Sequence, residues 1–200
     1  MTFAIGLIGA LVLVIGSALP DPHVKHPIYS AKDWCFALGG FLMFAYALLN
    51  WLAGGPIFFV LLQLLVVLAS IFMMLNVSDR VDTPIVVGAG FLLVLWSLWL
   101  FEGYETIYFI LGLVGIGMGY VLETGSFRRE VALTLGSILI SLFSYRSGDW
   151  IFFWLNTFFA AFSGYYLWRL HPHLMLVLVR IDSHRRVHLG RRRHIFLIKI

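Results

Sequence analysis

Seven apolar runs, each near the length of a membrane span, are separated by short polar pieces, and nothing else in the chain constrains its fold so tightly. The runs cover approximately 2–19, 34–53, 56–76, 84–101, 105–122, 131–146 and 150–170. A helix crossing a bilayer needs about 20 mostly apolar residues. Backbone groups cannot stay unpaired in lipid, so each run is expected to be helical. With 61% hydrophobic and 12% charged residues among 200, and a mean hydropathy of +0.94, the chain is too apolar to bury its runs inside one soluble domain. The expected fold class is all-α: a polytopic membrane protein with seven transmembrane helices. The narrowest division is Gly54–Gly55–Pro56, where one continuous helix would change the count. The first run lacks a basic amino-terminal region and is long for a signal-peptide core, so it reads as a span. Cys35 is the single cysteine, which excludes an internal disulfide and reads as a small buried hydrophobe.

The positive charges give the orientation. With the amino terminus outside, the inside pieces carry Lys25, Lys32, Arg80, Arg128, Arg129 and the basic end of the chain, leaving only Arg146 of the 14 Lys and Arg outside. Such asymmetry is the positive-inside pattern. It places the amino terminus outside and the carboxyl terminus in the cytoplasm of an integral protein of the cell membrane or bacterial inner membrane.

Three pairs of short phrases recur in order. Ile5-Gly6-Leu7-Ile8-Gly9 matches Leu111-Gly112-Leu113-Val114-Gly115; Leu38-Gly39-Gly40-Phe41-Leu42 matches Thr134-Leu135-Gly136-Ser137-Ile138; Ile57-Phe58-Phe59 matches Ile151-Phe152-Phe153. The offsets are 106, 96 and 94. The reading is a first three-helix repeat at 1–77, a linker helix at 78–103, a second three-helix repeat at 104–170 and a basic cytoplasmic tail at 171–200. Three helices reverse the chain's side, so a linker helix is needed for the second triplet to run parallel to the first. Parallel repeats about an axis along the membrane normal are a known transporter plan, with solute bound between them near the midplane.

These residues carry a likeness to a family. "IGLIGALVLVIGSALPDPHV" resembles the first helix of PQ-loop transporters, with Leu19-Pro20-Asp21 at the family's Leu-Pro-Gln turn, and "GDWIFFWLN" resembles the third-helix opening, with Asn156 at the pocket asparagine. The three-one-three plan is similar to that of SWEET-like proteins, and also to that of the nicotinamide riboside transporters, which share it and prefer an aromatic pocket. A sugar-stacking tryptophan would fall near Ala45 and Ile140, neither of them aromatic, while 18 Phe, eight Tyr and seven Trp supply aromatic material elsewhere. The resemblance implies a proline-turn gate at Pro20 and a solute pocket at Asn156.

Amides inside lipid are costly unless paired, so Gln63 and Asn156, at similar depth in equivalent helices, are the leading substrate-binding candidates. Tyr46 and Trp154 are candidate stacking partners, Asn76 reads as a helix cap, and Pro84 is expected at a helix end. No ionisable residue falls near the middle of a run, which favours facilitated diffusion over proton coupling and argues against an enzyme. The tail carries Arg185, Arg186, Arg191, Arg192 and Arg193 toward anionic headgroups, and its two short apolar runs read as strands or a hairpin around Gly190. Nucleic acid is not an expected partner. His171, His173, His184 and His188 lack the acids or thiols of a metal site, and no metal or cofactor is expected. The chain therefore reads as a facilitator of a small neutral or weakly charged solute, such as a sugar or nucleoside-like vitamin, with monomer and homo-oligomer both open. The alternative is a non-transporting receptor or assembly scaffold built on the same fold.

Overall fold

A computed structural model describes residues 1–19, 29–123 and 126–169. Pro20 and the tail arginines Arg185, Arg186, Arg191, Arg192 and Arg193 lie outside the described residues, as does the hairpin expected around Gly190. The described chain is all helical. The elements are α1 (Thr2–Ala18), α2 (Ala31–Leu52), α3 (Phe58–Met74), α4 (Asp79–Trp99), α5 (Tyr104–Val121) and α6 (Phe127–Ser147), followed by α7 at 150–169. Three stretches are long and apolar enough to cross a membrane: Ala31–Leu52, Arg80–Trp99 and Tyr104–Val121. Thr2–Ala18 and Phe58–Met74 are shorter apolar helices.

The helix ends follow from local chemistry. Ser30 and Ser126 accept from the backbone N–H groups of Asp33 and Arg129, closing the first turns of α2 and α6. The narrow division after α2 is a true break. Gly54 has φ +96°; its N–H reaches Trp51 O and the Gly55 N–H reaches Asn50 O. That pair of bonds is a Schellman cap, which needs a left-handed residue. Gly148, at φ 76°, repeats it with Gly148 N–H to Tyr145 O and Asp149 N–H to Ser144 O. Asn76 caps α3 in the same way at φ 51°, with its own N–H on Met73 O and that of Val77 on Phe72 O. Pro84 corrects the expectation of a helix end. The polar run after Ser78 extends α4 back to Asp79, so Pro84 sits inside the helix, and the bond it forgoes is to the carbonyl of exposed Arg80.

Glycines set the packing. α1 lies most extensively on α2, and α5 on α6. A Cβ on Gly6 would meet Tyr46, one on Gly9 would meet Leu42, and Leu13 fills the space beside Gly39. In the second pair, Gly112 faces Ile140, Gly115 faces Gly136 and Gly119 faces Leu133. Each contact of the second pair lies 106 residues on in its first helix and 94 in its second. The helix-body register is thus two residues short of the 96 at which the sequence phrases align, although the capping serines Ser30 and Ser126 keep the 96 spacing. The Gly54 and Gly148 turns are again 94 apart.

α3 and α7 run through the middle. Phe59 stacks on Phe152 with ring centroids 4.2 Å apart, Tyr46 packs on Phe152, and Phe58, Phe109 and Phe143 close around them. Outward faces are apolar as well: α4 exposes Phe91, Leu92, Leu95, Trp96 and Trp99, while α1 exposes Phe3, Leu7, Ile8, Leu11 and Ile15.

The tightest backbone approach is at Gly136, where a Cβ would stand 2.7 Å from Ile116 N and 3.0 Å from Gly112 O. Backbone cannot step aside as a side-chain tip can. Gly136→Ala is therefore expected to lower stability by about 1–3 kcal/mol. At Gly40 the nearest atom is Val66 Cγ1 at 3.6 Å, so Gly40→Ala should be neutral or slightly stabilising through helix propensity. Thermal unfolding of the two purified variants in detergent checks the contrast.

Candidate functional site: a cavity between the central helices

All seven helices contribute to one cavity of about 1010 Å³. Its deep end is formed by Leu13, Leu62, Gln63, Ser137, Leu155 and Asn156. Gln63 lies four residues after Phe59, and Asn156 four after Phe152, one helical turn beyond the stacked rings on each central helix. The rings close that end. The opposite end is lined by charged groups near helix termini: Lys32, Asp33, Asp82, Glu123, Arg129 and Glu130.

The two amides differ in what they have left to offer. Gln63 is 3% exposed, and its Oε1 finds no hydrogen-bond partner among the described residues. A buried acceptor left in that state costs about 1–3 kcal/mol. Asn156, also buried, donates Nδ2–H to Phe152 O at 2.8 Å within its own helix, so its oxygen is the acceptor that remains. The arrangement brings the two leading candidates to one cavity, one from each central helix.

The other two candidates go elsewhere. Trp154 is 54% exposed, packs on Phe153 and Phe158, and does not line the cavity. The reason is angular: positions two apart on a helix point about 200° from each other, so Trp154 cannot share a face with Asn156. Tyr46 is buried but sits beyond the aromatic plug, where its hydroxyl donates to Asp149 Oδ2 at 2.9 Å.

That contact belongs to a cluster the sequence reading did not single out. Asn50 Nδ2 donates to the same Oδ2 at 3.0 Å, and the backbone N–H groups of Ile151 and Phe152 donate to Oδ1 at 3.1 Å each. Asp149 therefore caps α7 while tying it to α2. Two signals were readable: an acid directly after a left-handed glycine is a natural N-cap, and Tyr46 and Asn50, four apart, share a helix face. Burial pushes the Asp149 carboxyl above the usual aspartate range, against the downward pull of bonds from Phe152 N–H, Tyr46 and Ile151 N–H. At the cavity mouth, Arg129 pairs with buried Glu130 at 3.5 Å and donates from Nε to Gly119 O at 3.1 Å, holding α6 to the end of α5.

Compared with known protein families, curated proteins and solved structures, the chain matches none of them.

Asp149→Asn keeps an acceptor for the cap, whereas Asp149→Ala strands four donors and should cost about 2–4 kcal/mol. Because the folded protein holds the Asp149 proton more tightly than the unfolded chain does, this group's contribution is greatest at low pH. It is lost as pH rises through the raised folded value. The melting temperature of the wild type should fall by more than that of Asp149→Asn as pH is raised from the ordinary aspartate range toward neutrality, and parallel thermal scans of the two proteins test this.

Proposed function

We propose that this protein is a membrane facilitator for a small neutral or weakly charged solute, working by alternating access between two parallel three-helix bundles, α1–α3 and α5–α7, joined by α4. The observation that carries the reading is the cavity: charged groups near helix termini line one end, and one amide from each central helix lines the other, a turn short of the stacked rings. A scaffold has no use for such a space. Its buried acceptor would instead be filled or paired.

Several features support the membrane and repeat parts of the reading. Apolar side chains cover the outward faces of α1 and α4, where a water-soluble helix would carry charge. The interhelix contacts recur at 106 and 94 residues, and the Gly54 and Gly148 turns at 94. Such recurrence is what two copies of one unit produce, in line with the parallel-repeat plan and with the resemblance to PQ-loop and SWEET-like transporters. In this reading the amino terminus faces outward, and the charged mouth opens to the cytoplasm.

The closed end then acts as the outer gate. Opening it requires Phe59 and Phe152 to part, along with the bonds from Tyr46 and Asn50 to Asp149. Hydrogen bonds to a charged group contribute about 1.5–3 kcal/mol each, and an aromatic pair about 0.5–1.5 kcal/mol beyond its buried area. The sum is about 3.5–7.5 kcal/mol, so solute binding must offset part of it for two conformations to stay in exchange. Solute bound between the amides draws the bundles together at the mouth, and the rocking that shuts the mouth opens the plug. No coupling ion is invoked, because the deep end holds no ionisable side chain.

Uptake into proteoliposomes of labelled sugars and nucleoside-like vitamins tests this. The wild type should take up at least one of them saturably. Asn156→Ala should reduce that uptake by about tenfold or more, the effect of one lost hydrogen bond in a desolvated site, without loss of folded protein. Failure of the wild type to transport any of them would favour the scaffold alternative.

A further inference from the structure

The chemistry of the deep end narrows what the cavity accepts. Charged lining groups stay at the mouth, while the apex offers apolar walls, Leu13, Leu62 and Leu155, around the two amides. Asn156 commits an N–H to Phe152 O, so its oxygen is free to accept. Gln63 carries a buried Oε1 with no partner among the described residues. The terminal amide torsion of Gln is broad, so turning the amide brings Oε1 from the wall toward the cavity. Both central helices thus present an unused acceptor at one depth. An acceptor held in an apolar wall attracts O–H or N–H groups and gains nothing from another acceptor.

Resting on the facilitator reading, we propose that the deep site selects neutral solutes that present hydrogen-bond donors, with one O–H or N–H directed to Gln63 Oε1 and a second to the Asn156 oxygen. Solutes of equal size whose groups are acceptors only bind less well, because they can pair with the amide N–H groups but leave the Gln63 oxygen unpaired. Sites built to pair a ligand hydroxyl reject analogues lacking it far more strongly than apolar pockets reject a missing methylene. Selection at Gln63 is therefore for the donor and not for bulk.

Labelled myo-inositol, glucose and uridine, each compared with its single O-methyl ethers, provide the test in proteoliposomes. An ether keeps the oxygen acceptor and removes one donor. For a transported parent, at least one ether should be taken up about tenfold less well by the wild type, the scale of one hydrogen bond. In Gln63→Met, which keeps the side-chain length and removes the unpaired acceptor, that discrimination should shrink to under about threefold, since only the added methyl is then sensed. Where turnover of the variant is slow, the same ratio is read from the ligand-induced rise in melting temperature of the detergent-solubilised protein. Equal discrimination by both proteins, or none by the wild type, overturns donor selection at Gln63 and leaves the facilitator reading standing. Absence of uptake of every parent by the wild type overturns the facilitator reading and this inference together.

Discussion

The close approach of helix backbones at glycine governs the rest of the structure. Gly115 and Gly136 bring α5 and α6 so near that a Cβ on either would meet backbone of the other. Gly9 takes α1 onto α2 at Leu42 and the Met43 backbone. Three helices are long and apolar enough to cross a membrane, and in lipid no hydrophobic drive makes one apolar helix prefer another. Shape decides the pairing instead. Once the two antiparallel pairs are fixed, the five-residue and two-residue connections at 53–57 and 148–149 hold α3 and α7 close to them, at the centre. The side chains that define the cavity are the consequence.

Two kinds of closure divide the labour along the bundle axis. At one end the connection is made by rings and a single carboxylate. Asp149 gathers four donors, two from α2 and two from the start of its own helix, which satisfies the buried carboxyl. At the other end Arg129 and Glu130 pair beside a helix terminus, and further ionisable groups line the rim. The aromatic end depends on contact area and is indifferent to salt. Charged groups at the rim are screened by it. A bundle with unlike closures at its two ends has unlike barriers to opening them, and in the proposed facilitator that asymmetry is what lets solute binding, acting at the apex, bias one end against the other.

Much of this was legible in the sequence, and the failures have definite causes. Span length is written directly into apolar runs, so every described helix overlaps its expected run, and the Gly54 turn was legible because glycine at positive φ is how helices commonly stop. Gln63 and Asn156 stood out as amides in apolar surroundings. Trp154 failed because composition says nothing about facing, although its two-residue separation from Asn156 already placed it on the other side of α7. Tyr46 was read for its ring when its hydroxyl mattered. Its partner Asp149 is 103 residues away, and no local pattern reports a contact that tertiary packing creates. Pro84 was placed by hydropathy, which starts the run at the first apolar residue and overlooks a polar first turn.

The same logic explains why the cavity is neutral where it is deepest. An ionised side chain at the apex would have to be desolvated in every conformation the bundle visits, including any in which the cavity is shut from both sides. Burying it unpaired costs far more than the few kcal/mol separating two exchanging states, so it would lock the bundle into whichever form kept it wet. An unpaired amide acceptor costs about 1–3 kcal/mol, the same scale as the exchange itself. Gln63 is thus costly enough for a ligand donor to matter and cheap enough for the empty protein to tolerate. Its unpaired oxygen, which in a rigid core would be a defect, is in the proposed facilitator the smallest polar handle by which a solute can be recognised.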